Sequence, residues 1–304
     1  MIDPRLARDL AALTTPDLRL GHRLIQSGDE TALLPEEAVS MVGRTVAARR
    51  ASGAARLVAR ELMAELGVTA TELEPALDGA EVVIFAVPDA IVRHVAADIV
   101  PKLDSGTSML FLDPAAVAAD RIPRRADVNC YVTHPTHPPL YSLLEEQSAE
   151  ARRDYWGGGL ARQAVVFAVG WGDEEDAART AERLAMDMFA PVVRSHRITV
   201  QQMAMLEPAL SETLTNGCVS LIREGMERVI AAGVPEQATR DFLMGHLQIG
   251  IAIIFEQLNW QLSEGAVLAL SQAKGALFKE DWHRIFEPDA VLASVRQITG
   301  GDGP

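Results

Sequence analysis

Apolar residues along this chain fall into two textures. Between about residue 61 and residue 197, short runs of β-branched and apolar residues alternate with longer amphipathic stretches, whereas beyond residue 199 only the helix-period pattern recurs. Residues 81–87 (EVVIFAV) make a continuous apolar run between the turn Asp78-Gly79 and Pro88-Asp89, which predicts a strand buried on both faces. A helix over 90–103 follows, then a turn over 104–106 and a second strand over 108–112 that stops at Asp113-Pro114. A third strand over 128–133 runs into the histidine-proline turn of residues 134–139, and a fourth is expected over 164–170. The fourth feeds a helix that keeps Ala177, Ala181, Leu184, Ala185 and Met188 on one face. Strands alternating with helices imply right-handed βαβ crossovers and a mostly parallel sheet.

The helical part opens with a long segment carrying Met203, Leu206, Leu210, Leu214, Leu221, Ile222, Met226 and Val229 on a core stripe, bent at Pro208 and stopped by Gly233-Val234-Pro235. The next helix, over 237–261, is apolar nearly all round between residues 247 and 255, which in a modest helical domain suggests burial against a second subunit. The fold class expected is α/β: a Rossmann-type doubly wound parallel sheet over 1–198, incomplete at its N-terminal strand, followed by an all-α substrate and dimerisation domain over 199–304. A homodimer is the expected assembly.

Residues 1–60 are atypical for such a domain. It should open with a strand and a G-x-G-x-x-G turn, whose bare backbone lets a pyrophosphate approach a helix N-terminus. The only glycines before residue 61 are Gly21, Gly28, Gly43 and Gly53, and no two are spaced as G-x-G. Met41-Val42-Gly43-Arg44 followed by Ser52-Gly53 reads as a worn remnant of that turn, or as an ordinary helix turn. All the basic residues of this stretch are arginine, and a shifted reading frame upstream of about residue 61 is one reading of it.

Composition narrows the function classes. Forty-two Asp and Glu against twenty-eight Lys and Arg leave a formal charge of -14, which repels a phosphate backbone and argues against nucleic-acid binding. Two cysteines, Cys130 and Cys218, have no metal or redox spacing. The longest apolar stretch, residues 249–255, is far short of the roughly 20 residues that span a bilayer, and the first residues carry no apolar signal core. The expectation is a cytoplasmic protein acting on a small molecule, with no membrane partner.

In open α/β sheets ligands bind outside the carboxyl ends of the strands. Val87, Pro88, Asp89, Asp113 and Pro114 are therefore the expected cofactor contacts, sharing one crevice with the histidine-proline turn. Prolines flanking His134 and His137 keep both imidazoles out of helix and sheet, which suits groups that act as general acid, base or metal ligand in a cleft; a proline-rich turn with surface histidines is the plainer reading. On the long helix Glu207 and Ser211 are four apart and share a face, with Glu212 turned away; a carboxylate there takes a proton, binds a divalent cation, or is simply solvated. His246 faces an apolar stretch, which fits a core histidine better than a catalytic one. Gly157-Gly158-Gly159 reads as a lid hinge or a plain flexible turn.

The strings AEVVIFAVPD, LDPAA, YVTHPTHPP, ARRDYWGGG, APVVRSHRITVQQMAMLEPALSETL, FLMGHL and KEDWHRIFEPDAV occur in order over about residues 61–299. Together they resemble the phosphogluconate-dehydrogenase-like C-terminal-domain family, in particular its members acting on D-apionate. The resemblance implies an NAD-dependent oxidoisomerase of a small branched sugar acid, related in logic to ketol-acid reductoisomerase, that oxidises its substrate and then rearranges the product. On that reading His134 and His137 orient and deprotonate the substrate, and Glu207, with Ser211 on its face and Glu212 or His246 beside it, serves as acid/base or as ligand to a divalent metal such as magnesium. A β-hydroxyacid dehydrogenase without rearrangement, and an inactive dimeric relative that has lost its cofactor loop, are the competing readings.

Overall fold

The computed structural model describes residues 73–141, 148–157, 160–172 and 174–301. The atypical segment over 1–60 with its glycines, and Gly158 and Gly159, lie outside the described residues. The chain divides into two compact units, Met1–Ala204 with Leu292–Pro304, and Met205–Val291. The C-terminal residues, grouped by the sequence pattern with the helical domain, thus belong to the first unit.

The first unit alternates strand and helix. It runs α1 (Leu73–Leu77), β1 (Val82–Phe85), α2 (Asp89–Ile99), β2 (Ser108–Phe111), α3 (Ala115–Ala118), β3 (Asn129–Pro135), β4 (Gln163–Trp171), α4 (Glu174–Met188), β5 (Val192–Arg197) and α5 (Val200–Ala204). The sheet order is β1-β2-β3-β4-β5. All neighbouring pairs are parallel except β3 and β4, which run antiparallel in the register Thr133 opposite Phe167 and Pro135 opposite Val165. β5 is a strand the hydrophobic pattern did not predict: its sequence VVRSHR is polar and largely exposed at the sheet edge.

The period-two alternation of each strand divides the core between the two faces. Val83, Phe85, Met109, Phe111, Cys130 and Val132 point to one side, against Val92, Ala96 and Ile99 of α2 and against Val200 and Met203 of α5. Leu110, Tyr131, Val165 and Phe167 point to the other, where Ala177, Ala181, Leu184, Ala185 and Met188 of α4 cover them. The α4 stripe is the one read from the sequence, and full burial of each large side chain there contributes about 1.5–3 kcal/mol. Only β2 has every residue buried; β1, expected to be covered on both faces, alternates half-buried and buried positions. Burial pushes the Cys130 thiol far above its usual range, so it stays protonated as a small apolar side chain.

The long helix predicted from residue 199 is not uniformly α-helical. α5 gives way to a π-helical segment, Met205–Asn216, before α6 (Gly217–Ala231) resumes. Pro208 lacks an N–H and its ring crowds the carbonyl four residues back, so the backbone there widens to the i→i+5 pattern. Thr213 Oγ1 donates to the Pro208 carbonyl at 2.7 Å and Thr215 Oγ1 to that of Leu210 at 2.8 Å, each reaching five residues back. α7 (Glu236–Ile254) and α8 (Glu264–Leu277) follow, then a 3-10 turn; the last helix, α9 (Pro288–Ile298), ends in the first unit.

Candidate active site

Because β1, β2 and β3 are parallel, their carboxyl ends lie at one edge of the sheet. Val87-Pro88-Asp89, Asp113-Pro114 and the turn after His134 therefore share that edge, as the sequence pattern implied. α2 starts there with Pro88 as its cap residue and no side-chain cap, leaving first-turn N–H groups at the positive end of the helix dipole. β4 runs against β3, so the connection over residues 148–162 arrives at the same edge. It brings Trp156 to His137, a contact between residues far apart in the chain.

Each imidazole is held by a backbone carbonyl. His134 Nδ1 is 2.7 Å from the Pro135 carbonyl oxygen, and His137 Nδ1 is 2.9 Å from that of Trp156. A carbonyl oxygen only accepts, so in the neutral ring the proton sits on Nδ1 and Nε2 is the acceptor. The two rings meet edge to face at 5.8 Å, and the Trp156 ring lies edge-on to His137 at 5.3 Å. His137 adopts φ 58°, a left-handed conformation costly for a residue with a Cβ, imposed where the chain leaves β3. Burial holds the His137 imidazole below its ordinary pKa; the Trp156 carbonyl opposes this and the neighbouring His134 reinforces it. The neutral ring thus has a defined tautomer, protonated on Nδ1.

Asp113 completes this edge. One carboxylate oxygen accepts the Ala115 N–H at 2.6 Å, capping α3, and an oxygen of Asp113 lies within 4.8 Å of a His134 ring nitrogen. That spacing suits a substrate hydroxyl between them or two corners of a cation's coordination shell. In the second unit Glu207 is half-buried and Ser211 and Glu212 are exposed. The π-helical spacing corrects the expected faces: residues five apart lie one turn from each other, so Glu212 is not turned away from Glu207. His246 is likewise not a core residue; it is exposed on α7, stacked on Phe242 at 3.9 Å with Nδ1 2.8 Å from the Phe242 carbonyl. Gly157, expected in a flexible turn, is buried with its N–H on Asp154.

Sequence reasoning missed Asp154 and Trp156. Asp154 is 1% exposed and accepts three backbone N–H groups, from Gly157 at 3.1 Å, Leu160 at 2.8 Å and Ala161 at 3.0 Å. An aspartate three residues before a glycine is the signature of such a side-chain-closed loop, but the partner of that loop, His137, is invisible to local pattern.

A mostly parallel sheet covered by helices on both faces, with three parallel strand ends at one edge, is the architecture of the Rossmann-type dinucleotide-binding class of α/β proteins. Residues 144–299 match the model of the phosphogluconate dehydrogenase (decarboxylating) C-terminal domain. The D-apionate oxidoisomerase of Rhizobium rhizogenes strain K84 is 43% identical over 235 residues, covering 77% of this chain and 84% of that one. The D-apionate oxidoisomerase of Cupriavidus necator strain N-1 is 42% identical over 240 residues, covering 79% and 86%. Among solved structures, a semialdehyde dehydrogenase NAD-binding protein from Cupriavidus necator in complex with calcium and NAD superposes with a TM-score of 0.76 at 41% identity, covering 80% of this chain and 87% of that one. The chain belongs to the D-apionate oxidoisomerase family and carries a phosphogluconate dehydrogenase-type C-terminal domain.

Proposed function

We propose that this protein is an NAD-dependent oxidoisomerase that converts D-apionate to 3-oxo-isoapionate. D-Apionate carries a C2 carbinol beside a tertiary alcohol. Oxidation at C2 gives a 2-keto acid, and migration of a hydroxymethyl group from C3 to C2 then places the ketone at C3. The observation that carries the reading is the neutral, tautomer-locked His137 at the carboxyl edge of the parallel strands, with the activity named for relatives at 42–43% identity in support.

Val87, Pro88, Asp89, Asp113 and Pro114 lie at the edge where doubly wound sheets hold a dinucleotide, and they are the residues that would hold NAD. NAD, when bound, supplies the hydride acceptor. His137 takes the C2 hydroxyl proton on Nε2, which its Nδ1 hydrogen bond leaves as the basic nitrogen. His134 and Asp113 orient the substrate hydroxyls. In the rearrangement the C3 hydroxyl gives up its proton, the hydroxymethyl group moves with its bonding pair to C2, the former C2 carbonyl oxygen takes up a proton and a C3 carbonyl is left, a step for which Glu207, with Ser211 or His246, is the proposed acid/base. Asp113 and His134, or Glu207 and Glu212, are the groups that would hold a divalent cation such as magnesium, whose chemistry is to polarise the α-keto acid.

The second unit supports a homodimer. Its buried apolar side chains are few among the described residues, whereas Phe242, Met244, Ile249 and Ile254 of α7, Phe255, Trp260 and Val267, Leu268 and Leu277 of α8 are exposed. A face of that kind marks a protein–protein contact, and a second copy is the occupant proposed here.

The test is incubation of the purified chain with NAD and D-apionate, with product identified by carbon NMR. A rearranged 3-oxo acid together with NADH is expected. A plain ketone or released carbon dioxide would put the protein with the β-hydroxyacid dehydrogenases instead. His137→Ala should abolish turnover, by about 100-fold or more for loss of a general base, while NAD affinity stays within a few fold.

A further inference from the structure

The peptide group between Trp156 and Gly157 is engaged at both ends. Its N–H donates to Asp154 Oδ1 at 3.1 Å, and its C=O accepts from His137 Nδ1 at 2.9 Å. A peptide group is planar, with N–H and C=O pointing in opposite directions, so fixing one end sets the direction of the other. A carboxylate on the N–H side also polarises the amide and raises the electron density on its oxygen, which strengthens the bond to the imidazole.

We propose that Asp154 is a positioning residue that acts on His137 through this single peptide group, forming a carboxylate–amide–imidazole relay that keeps the His137 proton on Nδ1 and Nε2 basic. The inference rests on the reading of His137 as the base of the oxidation. Asp154 is buried and held on its second oxygen by the N–H groups of Leu160 and Ala161, so the carboxylate cannot swing away from the relay. The plane is backed from behind. Gly157 has φ +77°, a Cβ there would meet the Gln163 amide at 2.5 Å, and Gln163 is itself fully buried with Nε2 on the Phe189 carbonyl at 2.9 Å. The loop is a clamp built on the start of β4. A carboxylate bonded directly to a catalytic histidine sets its tautomer; here a backbone amide is interposed between the same two groups.

The experiment reads the imidazole nitrogens of the intact protein labelled with 15N-histidine, with the His137 signals assigned by their loss in His137→Gln. The wild-type resting protein should show Nδ1 protonated and Nε2 bare; a wild-type proton on Nε2 overturns the relay whatever the variants do. Asp154→Asn, whose amide group cannot accept all three N–H bonds, should populate the Nε2-protonated tautomer and lower kcat about 10-fold or more, the direction seen when a catalytic histidine loses the group that fixes its tautomer, with KM for D-apionate changed less than 3-fold. An unchanged tautomer in a folded Asp154→Asn, or a changed tautomer with unchanged kcat, also overturns it. If the wild-type chain does not turn over D-apionate at all, the proposed function fails, and the wild-type tautomer still decides whether the geometry of the relay exists.

Discussion

Three features converge on His137, the base in the function proposed above: a left-handed backbone, a carbonyl on Nδ1 and partial burial. Burial favours the neutral ring, so the folded protein binds this proton less readily than the unfolded chain. Between the lowered pKa and the ordinary value of 6.5 the unfolded state holds more protons, and stability from this group is present above pH 6.5 and is lost as pH falls through the folded pKa. The catalytic counterpart is an acid limb of kcat/KM whose inflection lies below 6.5. A cation at His134 would move it in the same direction. A pH–rate profile with its acid inflection at 6.5 or higher would show that the titrating base is another group.

At the scale of elements, the turn over residues 154–157 and the π-helical segment Met205–Asn216 are, among the described residues, places where backbone geometry departs from the sequence pattern. Gly157 was legible only as a glycine; its positive φ and its contact with Gln163 come from the tertiary fold. Gly157→Ala should therefore destabilise the protein by about 1–3 kcal/mol through overpacking, read as a drop in Tm, and should reduce turnover because the same peptide plane grips His137. A Gly157→Ala variant that melts with the wild type would mean the loop yields easily and is not a clamp. Pro208 was likewise read correctly as a disturbance of a long helix. The local form it takes, a π-helical segment, depends on whether the following turns keep i→i+4 bonds, and the Thr213 and Thr215 hydroxyls take part in the alternative.

For the molecule as a whole, the unusual feature is the quantity of apolar surface on the second unit, including Phe242 at 68% exposure and Trp260 at 75%. If a second copy covers that surface, as proposed above, sedimentation of the purified protein should give a dimer at micromolar concentration. Replacing Phe242 and Ile249 together with aspartate should shift it to monomer or precipitate it. A monodisperse wild-type monomer would refute the pairing. Among the described residues no helix is long and apolar enough to cross a membrane, in accord with the short apolar run over 249–255.

The first four strands, the buried stripe of α4, the edge at which the strand-end turns gather and the family are legible in the chain, because each follows from a local period or from a contiguous string of residues. The tertiary structure alone decided the rest. The polar strand β5 pairs because β4 offers it an edge, the reversal at β4 delivers Trp156 to His137, the proton on His137 is assigned by a carbonyl nineteen residues away, and Asp154 counts only because its loop closes on that histidine. Contacts between residues distant in sequence leave no periodic trace, since the energy that selects them is shared among groups that the chain brings together only when it folds.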